Sequence, residues 1–165
     1  MLNGCQAGRK AERTNFHMFD QLRCAATHEA GHAVAALHFW MPLLEVSIEP
    51  NGVGATRYAR RLGFGEIDRW VCVSYAGPAA ELAVYGDADE AGDLRVIKQM
   101  LKALDLHWGA DQLAEYRQRA QRLVEAERAA IGAVASELLR HRRLTADAIA
   151  AMLPVPVPEG ALWAA

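Results

Sequence analysis

A mainly helical fold carrying one small β-hairpin or sheet, an α+β arrangement, is what this sequence of 165 residues predicts. Apolar residues recur at helical spacing through most of the chain, strict period-two alternation is confined to about residues 44–58, and Gly and Pro mark the boundaries. The length fits one domain large enough for its own core. Residues 1–18 are polar and irregular and read as a flexible leader, residues 19–153 as the folded domain, and residues 154–165, with Pro154, Pro156 and Pro158, as an extended tail.

The first helix is expected from Phe19 to Trp40, where Leu22, Ala26, Ala30, Ala33, Leu37 and Trp40 share a face and Pro42 follows. Its many alanines allow a neighbouring helix to approach closely. Leu44, Val46 and Ile48 alternate with Glu45, Ser47 and Glu49 as a half-buried strand. Pro50-Asn51-Gly52 is a turn, and Val53–Tyr58 is the returning strand. A second helix spans about Glu66–Tyr85, with Ile67, Val71, Tyr75 and Leu82 expected in the core and a break or kink at Gly77-Pro78. An acidic loop, Gly86–Gly92, leads to a third helix ending near His107. Past Gly109, one long helix is expected over Asp111–Arg140, with Leu113, Tyr116, Ala120, Leu123, Ala130, Val134 and Leu138 as its apolar stripe. Leu144–Leu153 makes a short last helix, with Thr145 as its cap.

Eighteen Lys and Arg against 20 Asp and Glu give a net charge of −2, and the two signs alternate along the later helices as on a solvated face. Nothing in this balance asks for nucleic acid. No run is long and apolar enough for membrane insertion. Cys5, Cys24 and Cys72 are odd in number and form no C-x-x-C, so reduced thiols and a cytoplasmic location are expected.

The chemistry lies in His28-Glu29-Ala30-Gly31-His32, an H-E-x-x-H motif inside the first helix. Histidines four apart project from one face, so their ring nitrogens converge on a single metal ion. Zinc takes neutral imidazole readily and, in catalytic sites, keeps a position open for water. Glu29 sits beside that pair, as a base for the water rather than a ligand. Gly31, costly in a helix interior, asks for a close approach by a ligand, a substrate or another helix. The motif alone implies a zinc hydrolase, most plainly a metallopeptidase.

A third donor is needed. His38 points elsewhere on the helix, and His17, His107 and His141 lie in the leader or near helix ends. Glu81, Asp87, Asp89, Glu90 and Asp93 cluster. Asp93 shares a face with Ile97, Met100 and Leu104, where a carboxylate is costly unless it is paired or binds metal. The alternative is that it serves only the helix N-terminus, where an anion is favoured. The residues alone leave both open.

The stretch His28–Val34, followed by the strand pair, then Ala76-Gly77-Pro78-Ala79-Ala80-Glu81-Leu82 and Gly86 through Gly92-Asp93-Leu94, resembles the peptidase domain of FtsH-type ATP-dependent zinc proteases. The likeness runs from about Leu22 to Leu153. It implies a helical, zincin-like peptidase domain in which His28, His32 and Asp93 bind zinc and Glu29 is the catalytic base. These 165 residues include no stretch expected to match the family's ATPase module or membrane anchor. Pro78 stands where the family has arginine, and Gly92 where it has asparagine.

The resemblance implies hydrolysis of unfolded or flexible polypeptides, delivered where necessary by a separate unfoldase or adaptor, and it leaves oligomerisation open. The alternative is a zinc-containing binding or regulatory module that has lost turnover; Glu29 argues against it, since a structural site needs no base. In the family the second strand lies along the cleft, and Gly54 and Ala55 would leave its backbone approachable by an extended peptide. The other expectation is an ordinary edge strand covered by a loop.

Overall fold

The computed structural model describes residues 15–59 and 66–153. The expected leader and Pro-rich tail therefore lie outside the described residues, except that the first helix already begins at Asn15. Among the described residues the elements are α1 (Asn15–His38), β1 (Leu43–Ile48), β2 (Gly54–Tyr58), α2 (Ile67–Tyr85), α3 (Ala91–Ala103), α4 (Ala110–Ala126), α5 (Arg128–His141), β3 (Arg143–Thr145) and α6 (Ala146–Ala150). The strands form one antiparallel sheet in the order β2-β1-β3. The mainly helical α+β expectation holds.

Helix α2 is the centre of the molecule. Its residues 71–81 are buried without interruption, as expected of a helix enclosed on all sides. It packs on α1 along one side and on α4 along another, while α1 also carries α5. Gly31 accounts for the closeness of α1 and α2: a Cβ there would lie 2.5 Å from the Ala76 carbonyl oxygen and 2.9 Å from Ala80 Cβ. Of the partners its position allows, the neighbouring helix is the one observed.

Several expectations need correction. Helix α2 runs through Gly77-Pro78 without a break. Proline removes one backbone donor, and packing on α1 and α4 holds the helix across that loss. Leu82 is exposed rather than in the core. The long helix over 111–140 is two helices meeting at Glu127, which leaves helical geometry at φ −100°, ψ 15°. The apolar stripe continues across the junction, so periodicity could not reveal it; the bend lets α4 cover α2 while α5 covers α1. Leu144 belongs to β3, a strand too short to show alternation, and pairs with Val46. Thr145 does cap α6, its Oγ1 accepting the Ala148 N–H at 3.3 Å. In β1 the register shifts between Leu43 and Glu45, so Leu43 is buried and Leu44 exposed. Cys5 lies outside the described residues. Cys72 is a free, buried thiol, which burial pushes up to about 12. No helix of the described residues is long and apolar enough to cross a membrane.

The hairpin fixes which backbone groups of β2 are free. Glu49 N–H donates to the Val53 carbonyl at 2.7 Å, and Ile48 N–H donates to Arg142, on the β3 side of β1. Hydrogen-bonded and non-bonded pairs alternate in an antiparallel ladder. With Ser47 opposite Ala55 and Val46 opposite Thr56, Ala55 faces β1, whereas Gly54 and Thr56 turn their backbone N–H and C=O to the outer edge of the sheet.

Candidate metal centre

Helices α1, α2 and α3 converge on one point. His28 and His32, one turn apart on α1, bring their Nε2 atoms within 2.9 Å of each other. Asp93, in the first turn of α3, places Oδ2 3.2 Å from His28 Nε2 and Oδ1 3.2 Å from His32 Nε2. Asp93 thus lies in a helix's first turn and also meets both imidazoles, so it does not serve the helix terminus alone. Ile97, one turn on, is fully buried and anchors α3. All three donor groups lie within 4.8 Å of one another.

The outer nitrogens settle the tautomers. His32 Nδ1 donates to the Val73 carbonyl at 2.7 Å, and His28 Nδ1 lies 3.0 Å from Glu81 Oε1. With each Nδ1 proton committed to an oxygen, both Nε2 atoms present lone pairs, to each other and to the Asp93 carboxylate. A cation placed among atoms this close relieves the repulsion of their lone pairs. Without a metal, a proton serves: although burial alone would lower it, the hydrogen bonds of Asp93 and Glu81 raise the His28 imidazole to about 10. Asp93 is the reciprocal case, where burial would raise the carboxyl but hydrogen bonds to His28 and His32 hold it well below its ordinary range. A metal ion suits the same place. Zinc–ligand bonds of about 2.0–2.1 Å put tetrahedral ligand atoms about 3.3–3.4 Å apart, close to the separations seen here. The two imidazoles and one carboxylate therefore fit a metal ion.

The remaining acidic residues have other partners. Glu81, buried on α2, joins His28 through one oxygen and accepts the Asp89 N–H at 3.2 Å through the other, tying the loop before α3 to that histidine. Asp87 and Asp89 accept backbone N–H groups of Ala88 and Ala91, and Glu90 pairs with Arg117 at 2.6 Å. His38 is buried 3.4 Å from Glu127, His141 pairs with Glu137 and His107 is exposed. The side chain of His17 lies outside the described residues.

Glu29 is buried on α1, its carboxylate directed at β2. Thr56 Oγ1 donates to Glu29 Oε2 at 2.7 Å. A Cβ on Gly54 would come within 2.4 Å of Glu29 Cγ and Oε1. Tyr58 follows on the same face of β2, its ring 4.3 Å from that of Trp70; burial, then the charges of Glu29 and Asp93, raise its phenol, so the hydroxyl keeps its proton. A cleft of about 250 Å³ opens beside His28 and Glu29, between Gln21 and Cys24 of α1, the Asn51-Gly52 turn and Asp89.

Gly77 was marked in the sequence as a helix breaker, and its role proves different. A Cβ at Gly77 would lie 2.5 Å from His32 Nε2 and 2.7 Å from His28 Nε2. Gly77→Ala should therefore expel one or both imidazoles while gaining about 1 kcal/mol of helix propensity. We expect metal content to fall severalfold while the metal-free protein still folds. Full metal occupancy in this variant would contradict the geometry.

No protein-family model matches this sequence, and no curated protein is significantly similar to it.

Proposed function

We propose that this protein is a zinc metallopeptidase acting on unfolded or flexible polypeptides, with His28, His32 and Asp93 as ligands and Glu29 as general base. The observation that carries the proposal is the pairing of two features. Two histidine Nε2 lone pairs and a carboxylate converge on one point, and a buried glutamate from the same helical turn stands beside them without joining the ligand set.

Zinc at this site supplies a Lewis acid that polarises a carbonyl and acidifies water. The rest falls to the chain. Glu29 takes a proton from the attacking water as the C–O bond forms and gives it to the amide nitrogen as the C–N bond breaks. Glu81 and the Val73 carbonyl hold the imidazoles in the tautomer that leaves Nε2 available. The outward N–H and C=O of Gly54 and Thr56 suit an extended peptide adding to the edge of β2, a mode that selects for unfolded chains and reads side chains weakly. The likeness of His28–Val34 and Gly86–Leu94 to the FtsH-type peptidase domain supports the same reaction and a zincin-like fold.

The test is hydrolysis of an unfolded protein substrate before and after chelation. Chelated protein should be inactive and should regain at least about half its activity with one equivalent of Zn²⁺, since such a site binds metal reversibly. Activity indifferent to chelation would rule out the proposal. A zinc-loaded protein that binds peptide but never cleaves it would favour the regulatory module.

A further inference from the structure

We infer that Thr56 is the positioning residue of the general base: its hydroxyl fixes one carboxylate oxygen of Glu29 and leaves the other, Oε1, as the atom that takes the proton. The inference rests on the proposed role of Glu29. Its physical basis is separate and lies in how β2 grips that side chain.

Glu29 reaches from α1 to the sheet, and two residues of β2 receive it. Residues 54, 56 and 58 are the more buried set along this strand, alternating with exposed Ala55 and Arg57. Gly54 leaves the room that the carboxylate fills, since a Cβ there would lie 2.4 Å from both Cγ and Oε1. Thr56 supplies the hydrogen bond, Oγ1 to Oε2 at 2.7 Å. A threonine hydroxyl has a single proton to donate, so Oε1 receives nothing from it.

The same residue also faces the sheet's outer edge. The backbone N–H and C=O of Thr56 point away from β1, and β2 is the terminal strand among the described residues. An extended substrate pairing there would register on the residue that holds the base. The distance between scissile carbonyl and base would then be set within β2 and not across a flexible junction.

The experiment uses the full-length, zinc-loaded protein and an unstructured fluorogenic peptide, with zinc content and melting temperature recorded for every variant. Thr56→Val keeps the strand propensity and the backbone N–H and removes only the hydroxyl bond. It should lower kcat about 10- to 100-fold, as small misplacements of a catalytic group do, with KM within about twofold and zinc retained. Thr56→Ser restores the hydroxyl and should return kcat to within about threefold of wild type. Gly54→Ala, which pushes the carboxylate away while leaving Thr56 in place, should lower kcat without KM in the same manner, and it decides the matter if Thr56→Val folds poorly. Wild-type kcat in both Thr56→Val and Gly54→Ala, with Glu29→Gln inactive, overturns the positioning role and leaves the peptidase proposal intact. A zinc-loaded wild type that cleaves nothing overturns both.

Discussion

Replacing Glu29 by glutamine should abolish peptide hydrolysis while leaving zinc in place. The amide is nearly isosteric with the carboxylate, and its oxygen can still accept from Thr56 Oγ1, so the contact between α1 and β2 survives. What it cannot do is take a proton. Loss of a general base costs about 10²- to 10⁴-fold, and we expect kcat to fall by that factor with KM little changed. Steady-state kinetics on an unstructured peptide, with zinc measured in the same preparations, gives the answer. Equal activity in wild type and Glu29→Gln would remove Glu29 from the mechanism. Equal inactivity, with zinc present in both, would favour the binding module.

His28→Ala, His32→Ala and Asp93→Ala should each lose most of the metal. Each removes one of three protein donors, and the neighbouring elements do not offer a replacement at the same point: Glu81 is engaged with His28 and the Asp89 N–H, and Glu90 with Arg117. Glu81→Gln should behave differently. It removes a carboxylate that orients a ligand and is not itself one, so affinity should drop about 10- to 100-fold while one ion per chain still binds at saturating zinc. Elemental analysis after dialysis against a weak competitor separates the two classes. Full zinc in Asp93→Ala, with loss in Glu81→Gln, would exchange their roles.

The difference between what the sequence made legible and what it did not follows from the range of each interaction. His28, Glu29 and His32 could be read directly because a helix turns a spacing of four residues into a shared face. Asp93 lies on another helix, and its own surroundings allowed either a metal ligand or a helix-terminal anion; only the packing of α3 against α2 brings it to the imidazoles. Thr56 gave no signal at all, since nothing in an edge strand's alternation says that its hydroxyl meets a glutamate on α1. Gly54 was noticed as a place where the chain stays slim, with a peptide expected alongside, yet the space beside its Cα is taken by Glu29. Gly77-Pro78 was the reverse case. Local rules predict a break, but burial of α2 on all sides overrides the proline, and the glycine serves to make room for two histidines. The bend at Glu127 and the three residues of β3 were invisible because an apolar stripe continues across the first and the second is too short to show a period.

The central claim is that one zinc ion sits among His28, His32 and Asp93, and anomalous diffraction from crystals of the zinc-loaded protein tests it most directly. Data collected on either side of the zinc absorption edge should give a single strong peak per chain, about 2.0–2.2 Å from His28 Nε2, His32 Nε2 and an oxygen of Asp93. A peak on the acidic loop at Asp87, Asp89 and Glu90, or no ordered peak at saturating zinc, would contradict it.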